Sequence, residues 1–120
     1  MTLKNIRLEL ARSKEFPDGS ADHGYLLKAP LLADGHLDAV AWKAERDLCT
    51  VRRFWGGAEE ERGQLIHTAR RRWAFSYVAG DDTDDEPIFR LDSHVFRPGE
   101  YLSITEHDGV ERTFRVASVI

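Results

Sequence analysis

The stretch that decides the fold closes the sequence: FRPGEYLSITEHDGVERTFRVASVI, residues 96–120. Within it, segments 100–106 and 110–120 carry apolar side chains at alternate positions, and Asp108-Gly109 separates them. A period of two is typical of a strand with one buried face. An Asp-Gly pair between two such segments is a strong signal for a β-hairpin. Residues 96–120 therefore predict two antiparallel strands joined by a tight turn.

The same alternation recurs earlier in the chain, in IRLEL (residues 6–10) and in WAFSYV (73–78). A single strand through 64–78 would span about 50 Å, which exceeds a domain of this size. We therefore expect QLIH (64–67) to fold back and pair with WAFSYV. In that arrangement one face, the core face, would carry Trp73, Phe75 and Tyr77.

Short strands bounded by turn residues favour an antiparallel barrel or folded sheet over a βαβ fold. The sequence predicts one domain over residues 1–120, mainly β in an α+β chain, with about seven strands. Two segments are expected to be loops: residues 14–24, and the acidic run 80–87, whose five carboxylates repel one another and should stay in solvent.

One short helix is predicted near residues 37–47, where the apolar spacing changes from two to that of a helix. Its expected buried stripe is Leu37, Val40, Ala41, Ala44 and Leu48. Asp34 or Asp38 could cap its start, and Trp42 falls to the side of the stripe.

Composition narrows the classes of protein to which this chain could belong. The 120 residues include a single cysteine, so an intrachain disulfide is impossible, and Cys49 is expected to be a buried structural thiol. The N-terminal segment has no apolar run of the length that a signal peptide or a membrane span requires. Together these features predict a cytoplasmic protein that does not associate with membranes. The net charge of −4 makes nucleic acid a less favoured partner than protein.

Basic residues lie beside aromatic residues in VRRFW (51–55) and ARRRWAFSY (69–77). Arginine beside exposed aromatic rings is typical of surfaces that contact protein partners or single-stranded nucleic acid. The candidate binding residues are Arg52, Arg53, Trp55, Arg70, Arg71 and Arg72. The alternative is that the aromatic rings are core and the arginines are solvated turn residues.

Histidines supply a second candidate site, at His67, His94 and His23. No H-x-x-x-H spacing is present, so only folding could assemble them into a metal or acid–base site. No nucleophile elbow, phosphate loop or dinucleotide fingerprint occurs either. The leading hypothesis is therefore a small binding or interaction module that needs no cofactor, and the alternative is an enzyme or metal-binding protein that uses these histidines.

Pro98-Gly99-Glu100-Tyr101 followed by Arg112-Thr113-Phe114-Arg115 resembles a segment of the flavin-binding barrels of ferredoxin-reductase-type enzymes. That resemblance implies that Arg112 meets a flavin phosphate and that Phe114 lies against the ring. The chain departs from the family pattern at Arg115, where the family has serine. The hairpin interpretation of this segment needs no flavin.

The chain as a whole resembles a family of short bacterial proteins with no assigned activity. The resemblance rests on LARSKEFPDGSADHGY (10–25), CTVRRFW (49–55), WAFSY (73–77) and FRPGEYLSI (96–104). It implies a domain that stands alone and adds no chemistry.

Overall fold

Eight strands of the described residues close into an antiparallel barrel. The structure is a computed structural model that describes residues 3–58, 60–67, 73–77, 85–88 and 94–120. The strands are β1 (Leu3–Leu10), β2 (Ser20–Pro30), β3 (Thr50–Trp55), β4 (Glu61–His67), β5 (Trp73–Ser76), β6 (Glu86–Ile88), β7 (Tyr101–Thr105) and β8 (Glu111–Val119). Helix α1 (Ala39–Glu45) and a 3₁₀ turn (Arg46–Leu48) lie between β2 and β3. The predicted β-rich barrel with one short helix is confirmed, with eight strands where about seven were expected.

Each strand pairs with the next, and β8 pairs with β1 to close the barrel. The predicted C-terminal hairpin is confirmed by β7 and β8, where Leu102 pairs with Phe114. The predicted pairing of 64–67 with 73–78 is confirmed over residues 73–76, where Leu65 lies opposite Phe75. Because closure leaves no free edge among the described strands, side chains rather than an unpaired backbone must make any contact with a partner.

Alternation along the strands places the apolar side chains inside the barrel. Trp73 and Phe75 are buried as the sequence predicts, and Tyr77 is half-buried. The ring of Tyr25 lies at the centre, with its centroid 5.0 Å from that of Phe75 and 5.1 Å from that of Phe114. The middle of the barrel is therefore a packed core rather than a channel.

Helix α1 covers one end of the barrel, which we call the helix end. Asp38 caps the helix by accepting a hydrogen bond from the Ala41 N–H at 3.0 Å. Leu37 is buried as predicted, but the rest of the predicted stripe is wrong: Val40 is 83% exposed and Leu48 is 53% exposed, whereas Trp42 is buried. The helix is only seven residues long, so one large side chain, rather than an apolar stripe, anchors it.

The Trp42 side chain makes that anchor. Its ring centroid lies 4.8 Å from that of Trp73, in an edge-to-face arrangement. Its Nε1–H donates to the Leu65 carbonyl oxygen at 2.9 Å, which satisfies the only polar atom of the buried indole.

Two loop predictions are corrected by the strand bounds. Strand β2 begins at Ser20, inside the segment 14–24 that was expected to be a loop. Gly24 permits this pairing, because a Cβ atom there would lie 1.9 Å from the Leu8 carbonyl oxygen. Glu86, the last acid of the run expected to stay in solvent, is fully buried in β6, while residues 81–84 lie outside the described residues.

Neither described helix has the length and apolar character needed to cross a bilayer.

Candidate functional site

The inward-facing side chains change from apolar to polar along the barrel. The end opposite the helix, which we call the polar end, is filled by ionisable and phenolic side chains. Its inward-facing members are Tyr25, Arg53, Tyr77, Glu86, Glu106 and Arg112. The alternation of buried positions extends into this end of the barrel. Tyr25 lies two residues before buried Leu27 in β2, and Glu106 lies two residues after buried Ile104 of β7. Buried charges on this scale are costly unless they are paired, which makes the arrangement the first candidate for a function.

Glu106 is the fully paired carboxylate of the polar end. Its Oε2 accepts a hydrogen bond from Arg53 Nε at 3.0 Å and lies 3.0 Å from Arg53 Nη2 in an ion pair, and its Oε1 accepts from Arg112 Nη1 at 2.9 Å. The Tyr25 hydroxyl lies 2.7 Å from the same Oε2. Two guanidinium groups therefore pair with this buried carboxyl group.

Glu86 lies beside it in a different environment. Its Oε1 contacts the hydroxyls of Tyr25, at 3.0 Å, and of Tyr77, while its Oε2 accepts from the His107 backbone N–H at 3.0 Å. The nearest guanidinium atom, Arg53 Nε, is 3.7 Å away. Burial raises the pKa of Glu86 above its ordinary value because the site offers the ionised form less charge compensation than it loses from water.

The rim of the polar end is covered by aromatic rings and by the loop between β1 and β2. The Trp55 ring contacts the guanidinium groups of Arg53, at 4.4 Å, and of Arg112, at 5.3 Å. From the loop, Glu15 accepts two hydrogen bonds from Arg112, from Nε at 3.1 Å and from Nη2 at 3.2 Å. These hydrogen bonds raise the pKa of Arg112 and fasten the loop over the barrel end.

Alternation separates the arginines that the sequence predicted to share one surface. Arg53 and Trp55 point into the polar end, and the Arg53 side chain is 12% exposed. Arg52 points outward, is 43% exposed and pairs with Glu60 at 2.8 Å. The described members of the predicted patch therefore lie on opposite sides of β3, and Arg70, Arg71 and Arg72 lie outside the described residues.

Arg52 belongs instead to a row of outward side chains across β1 to β4. The row is Arg7, Leu26, Arg52 and Arg62, each opposite the next in the strand register. Phe54 lies on the same side, beneath the Arg7 guanidinium at 4.6 Å. We call the four outward cations here, Arg7, Lys28, Arg52 and Arg62, the basic face.

A groove of about 390 Å³ runs along this surface. Three cations of the basic face line it, Lys28, Arg52 and Arg62, together with the polar side chains of Asn5 and Thr50. No acidic residue is among its described lining residues. Within the part of the chain that the structure describes, neither Lys28 nor Arg62 takes part in an ion pair.

No family model matches this chain, and no curated protein and no solved structure matches it significantly. The resemblance to a family of short bacterial proteins thus stays a prediction. Function must therefore be inferred from the geometry and chemistry of this chain's own residues.

The three candidate histidines lie at different places in the fold. His23 lies at the polar end, where its ring centroid is 4.4 Å from that of Trp55. His67 ends β4 at the helix end and stacks on Trp73 at 4.7 Å. His94 precedes the bridge between His36 and Val95. Among the described residues no three acids, histidines or cysteines form a group suited to a metal ion.

The flavin-like segment has other contacts in this fold. Phe114 is fully buried against Tyr25, and the Arg112 guanidinium is occupied by Glu15, Glu106 and Asp108. Cys49 is buried, as the sequence predicts, and burial raises the pKa of its thiol. Phe114 and the Cys49 thiol are therefore buried, whereas Tyr101 of the flavin-like segment is 55% exposed.

Sequence reasoning missed the two buried glutamates. The signal was present, since Glu106 lies two residues from Ile104 and Glu86 two residues from Ile88, in step with the buried positions. At Glu86 the charge of the acidic run predicts solvent exposure, whereas alternation with Ile88 predicts burial.

Proposed function

We propose that the protein is a small binding module that contacts an acidic segment of a protein partner through its basic face. The observation that carries this is the direct opposition of Arg52 and Arg62 inside a groove without described acidic lining. Like charges placed directly opposite on antiparallel strands repel each other. A bound carboxylate between the two guanidinium groups would remove that repulsion.

The chemistry of the surrounding side chains supports an acidic peptide as the partner. Lys28 adds a third cation, and Asn5 and Thr50 can donate hydrogen bonds to carboxylate oxygens. Leu26 and Phe54 provide apolar contact area beside the cations. The overall charge of −4 disfavours a long nucleic acid, whose phosphates would extend beyond the groove. A cytoplasmic location, which the single buried cysteine favours, belongs to the same proposal.

Fluorescence anisotropy with a labelled hexaglutamate peptide tests the proposal. The double variant Arg52→Gln plus Arg62→Gln should weaken binding by about tenfold or more, which corresponds to about 1.4 kcal/mol. The matched control, Arg12→Gln plus Lys14→Gln, removes the same charge from the exposed β1–β2 loop and should change binding by less than about twofold.

Two results would contradict the proposal. One is an equal loss in both double variants, because it would assign the binding to net charge alone. The other is a failure of the wild type to bind the peptide at low ionic strength, where screening of surface charges is weakest. An oligothymidylate of equal charge serves as the second probe, and tighter binding of that probe would favour nucleic acid over an acidic peptide.

The alternative of an enzyme or metal-binding protein that uses His67, His94 and His23 remains untested. The separation of His23 from His67 along the barrel weighs against it.

A further inference from the structure

The polar end contains one hydroxyl between two carboxyl groups. The Tyr25 oxygen is 3.0 Å from Glu86 Oε1 and 2.7 Å from Glu106 Oε2. A phenol carries one proton and can donate it to only one of these oxygens. The other contact is a hydrogen bond only if the carboxyl on that side brings a proton of its own.

The surroundings decide which carboxyl carries the proton. Arg53 Nε and Arg112 Nη1 donate hydrogen bonds to Glu106, and Arg53 Nη2 lies 3.0 Å from its Oε2. A proton on Glu106 would compete with these donors and leave Arg53 without a hydrogen-bonded counterion among the described residues, whereas Arg112 keeps Glu15 and Asp108. Glu86 has no guanidinium within hydrogen-bond distance among the described residues, since Arg53 Nε is 3.7 Å away. The additional proton therefore belongs to Glu86.

We propose that the polar end is a proton-binding site in which Glu86 is a neutral carboxylic acid, Tyr25 donates to ionised Glu106, and loss of the Glu86 proton loosens this end of the barrel. In this arrangement the Glu86 hydroxyl donates to the Tyr25 oxygen while the Tyr25 hydroxyl donates to Glu106. Tyr77 donates to Glu86 Oε1, and the Glu86 carbonyl oxygen, Oε2, accepts from the His107 N–H. Every donor then has one acceptor.

The site is fixed from several strands at once. The ionisable groups that face Glu86 are Tyr25 from β2, Arg53 from β3, Tyr77 directly after β5, and Glu106 and His107 from the segment that follows β7. Glu61 of β4 contacts the same His107 nitrogen as Glu86, with its Oε2 3.6 Å from Nδ1. Arg112 of β8 donates a hydrogen bond to Glu106, and it influences Glu86 only through that carboxylate.

His107 lies between the Glu86 carboxyl group and solvent. Its Nδ1 is 3.3 Å from Glu86 Oε2, and the side chain is 29% exposed. The same Nδ1 is 3.6 Å from Oε2 of Glu61, whose side chain is 43% exposed. When the Glu86 proton leaves, Tyr25 can satisfy only one of two negative carboxylates, so β6 or the turn after β7 must shift. The proton thus couples the closure of the barrel end to pH.

Infrared spectroscopy of the folded protein in D₂O tests the protonation state directly. At pH 7 the wild type should show the carbonyl stretch of a neutral carboxylic acid, and the band should vanish reversibly as pH is raised. Glu86→Gln, which keeps the shape of the neutral acid, should lack the band. Glu111→Gln, which removes an exposed carboxylate at the start of β8, is the control and should retain the band. Absence of the band from the wild type at pH 7, or its persistence in Glu86→Gln, would overturn the proposal.

A second measurement covers the case in which Glu86→Gln does not fold. In wild-type protein with ¹³C-labelled glutamate, the Glu86 carboxyl resonance can be assigned through the backbone of Asp85. A chemical shift of the neutral acid at pH 7 would support the proposal, and the shift of a carboxylate would overturn it.

Discussion

Arg52 and Arg62 lie directly opposite each other on the outer side of β3 and β4. Their opposition costs stability, and within the described chain only Arg52 has an acidic partner, Glu60. A cost of this kind is expected where a surface is kept for binding rather than for stability.

Arg62→Glu should therefore stabilise the protein while it weakens the binding of an acidic peptide. The substitution replaces a repulsive cross-strand pair with an attractive one, which is worth about 0.2–1 kcal/mol. Urea unfolding gives the stability and anisotropy gives the binding. Lower stability together with unchanged binding would show that Arg62 has neither role.

Glu106→Gln should destabilise the protein far more than Glu86→Gln. The first change leaves Arg53 and Arg112 buried without their shared carboxylate, a loss of about 3–5 kcal/mol. The second replaces a neutral acid by a neutral amide of similar shape and should cost less than half as much. Urea unfolding at pH 7 compares them, and the reverse order would place the proton on Glu106.

The contribution of Glu86 to the stability of the wild type should fall as pH rises above the ordinary glutamate pKa. Burial raises the pKa of Glu86 above 4.5, so the folded state holds this proton more tightly than the unfolded chain. The stabilising contribution is complete below 4.5 and is lost as pH rises through the raised value.

Other carboxyl groups change stability with pH in the opposite direction to Glu86. The Glu86 contribution must therefore be measured as a difference between two proteins. The His36 N–H lowers the pKa of Asp34, whose contribution is lost as pH falls. Subtracting the pH profile of Glu86→Gln from that of the wild type isolates the Glu86 share. A flat difference between pH 4 and pH 9 would contradict the raised pKa.

Trp42→Ala should be among the most destabilising changes at the helix end. It removes the buried ring from Trp73 and leaves the Leu65 carbonyl without its donor, a loss of about 3–5 kcal/mol. Val40→Ala, on the exposed side of the same helix, should change stability by less than about 0.5 kcal/mol. Thermal unfolding followed by circular dichroism compares the pair, and equal effects would support the apolar stripe that the sequence predicted.

The barrel could be predicted from the sequence because its signal is local. Trp73, Phe75 and Tyr77 alternate within five residues, and Asp108-Gly109 specifies a turn by itself. Alternation and turn chemistry need no knowledge of the partner strand.

The polar end could not be predicted in the same way, because its stability depends on distant partners. The Tyr25 hydroxyl that contacts Glu86 lies 61 residues away in the chain, and its contact with Glu106 spans 81 residues. An acid in a charged run is normally solvated unless such partners exist. Only the closed register, which brings β2 and β3 to face β6 and β7 across the barrel, supplies them.

The helix was predicted in the right place with the wrong buried face. Its seven residues make fewer than two full turns beyond the cap, too short for periodicity to define a face. The contact between Trp42 and Trp73 decided the orientation instead.

The central claim is that alternation along β3 gives two neighbouring arginines opposite roles, with Arg52 on the outer surface and Arg53 in the buried network. The free energies of unfolding of Arg52→Gln and Arg53→Gln in urea, measured in parallel at pH 7, test it most directly. We predict a change within about 0.5 kcal/mol for Arg52→Gln and a loss of about 3–5 kcal/mol for Arg53→Gln, which leaves Glu106 short of a buried partner. Equal effects, or a larger loss for Arg52→Gln, would contradict the account.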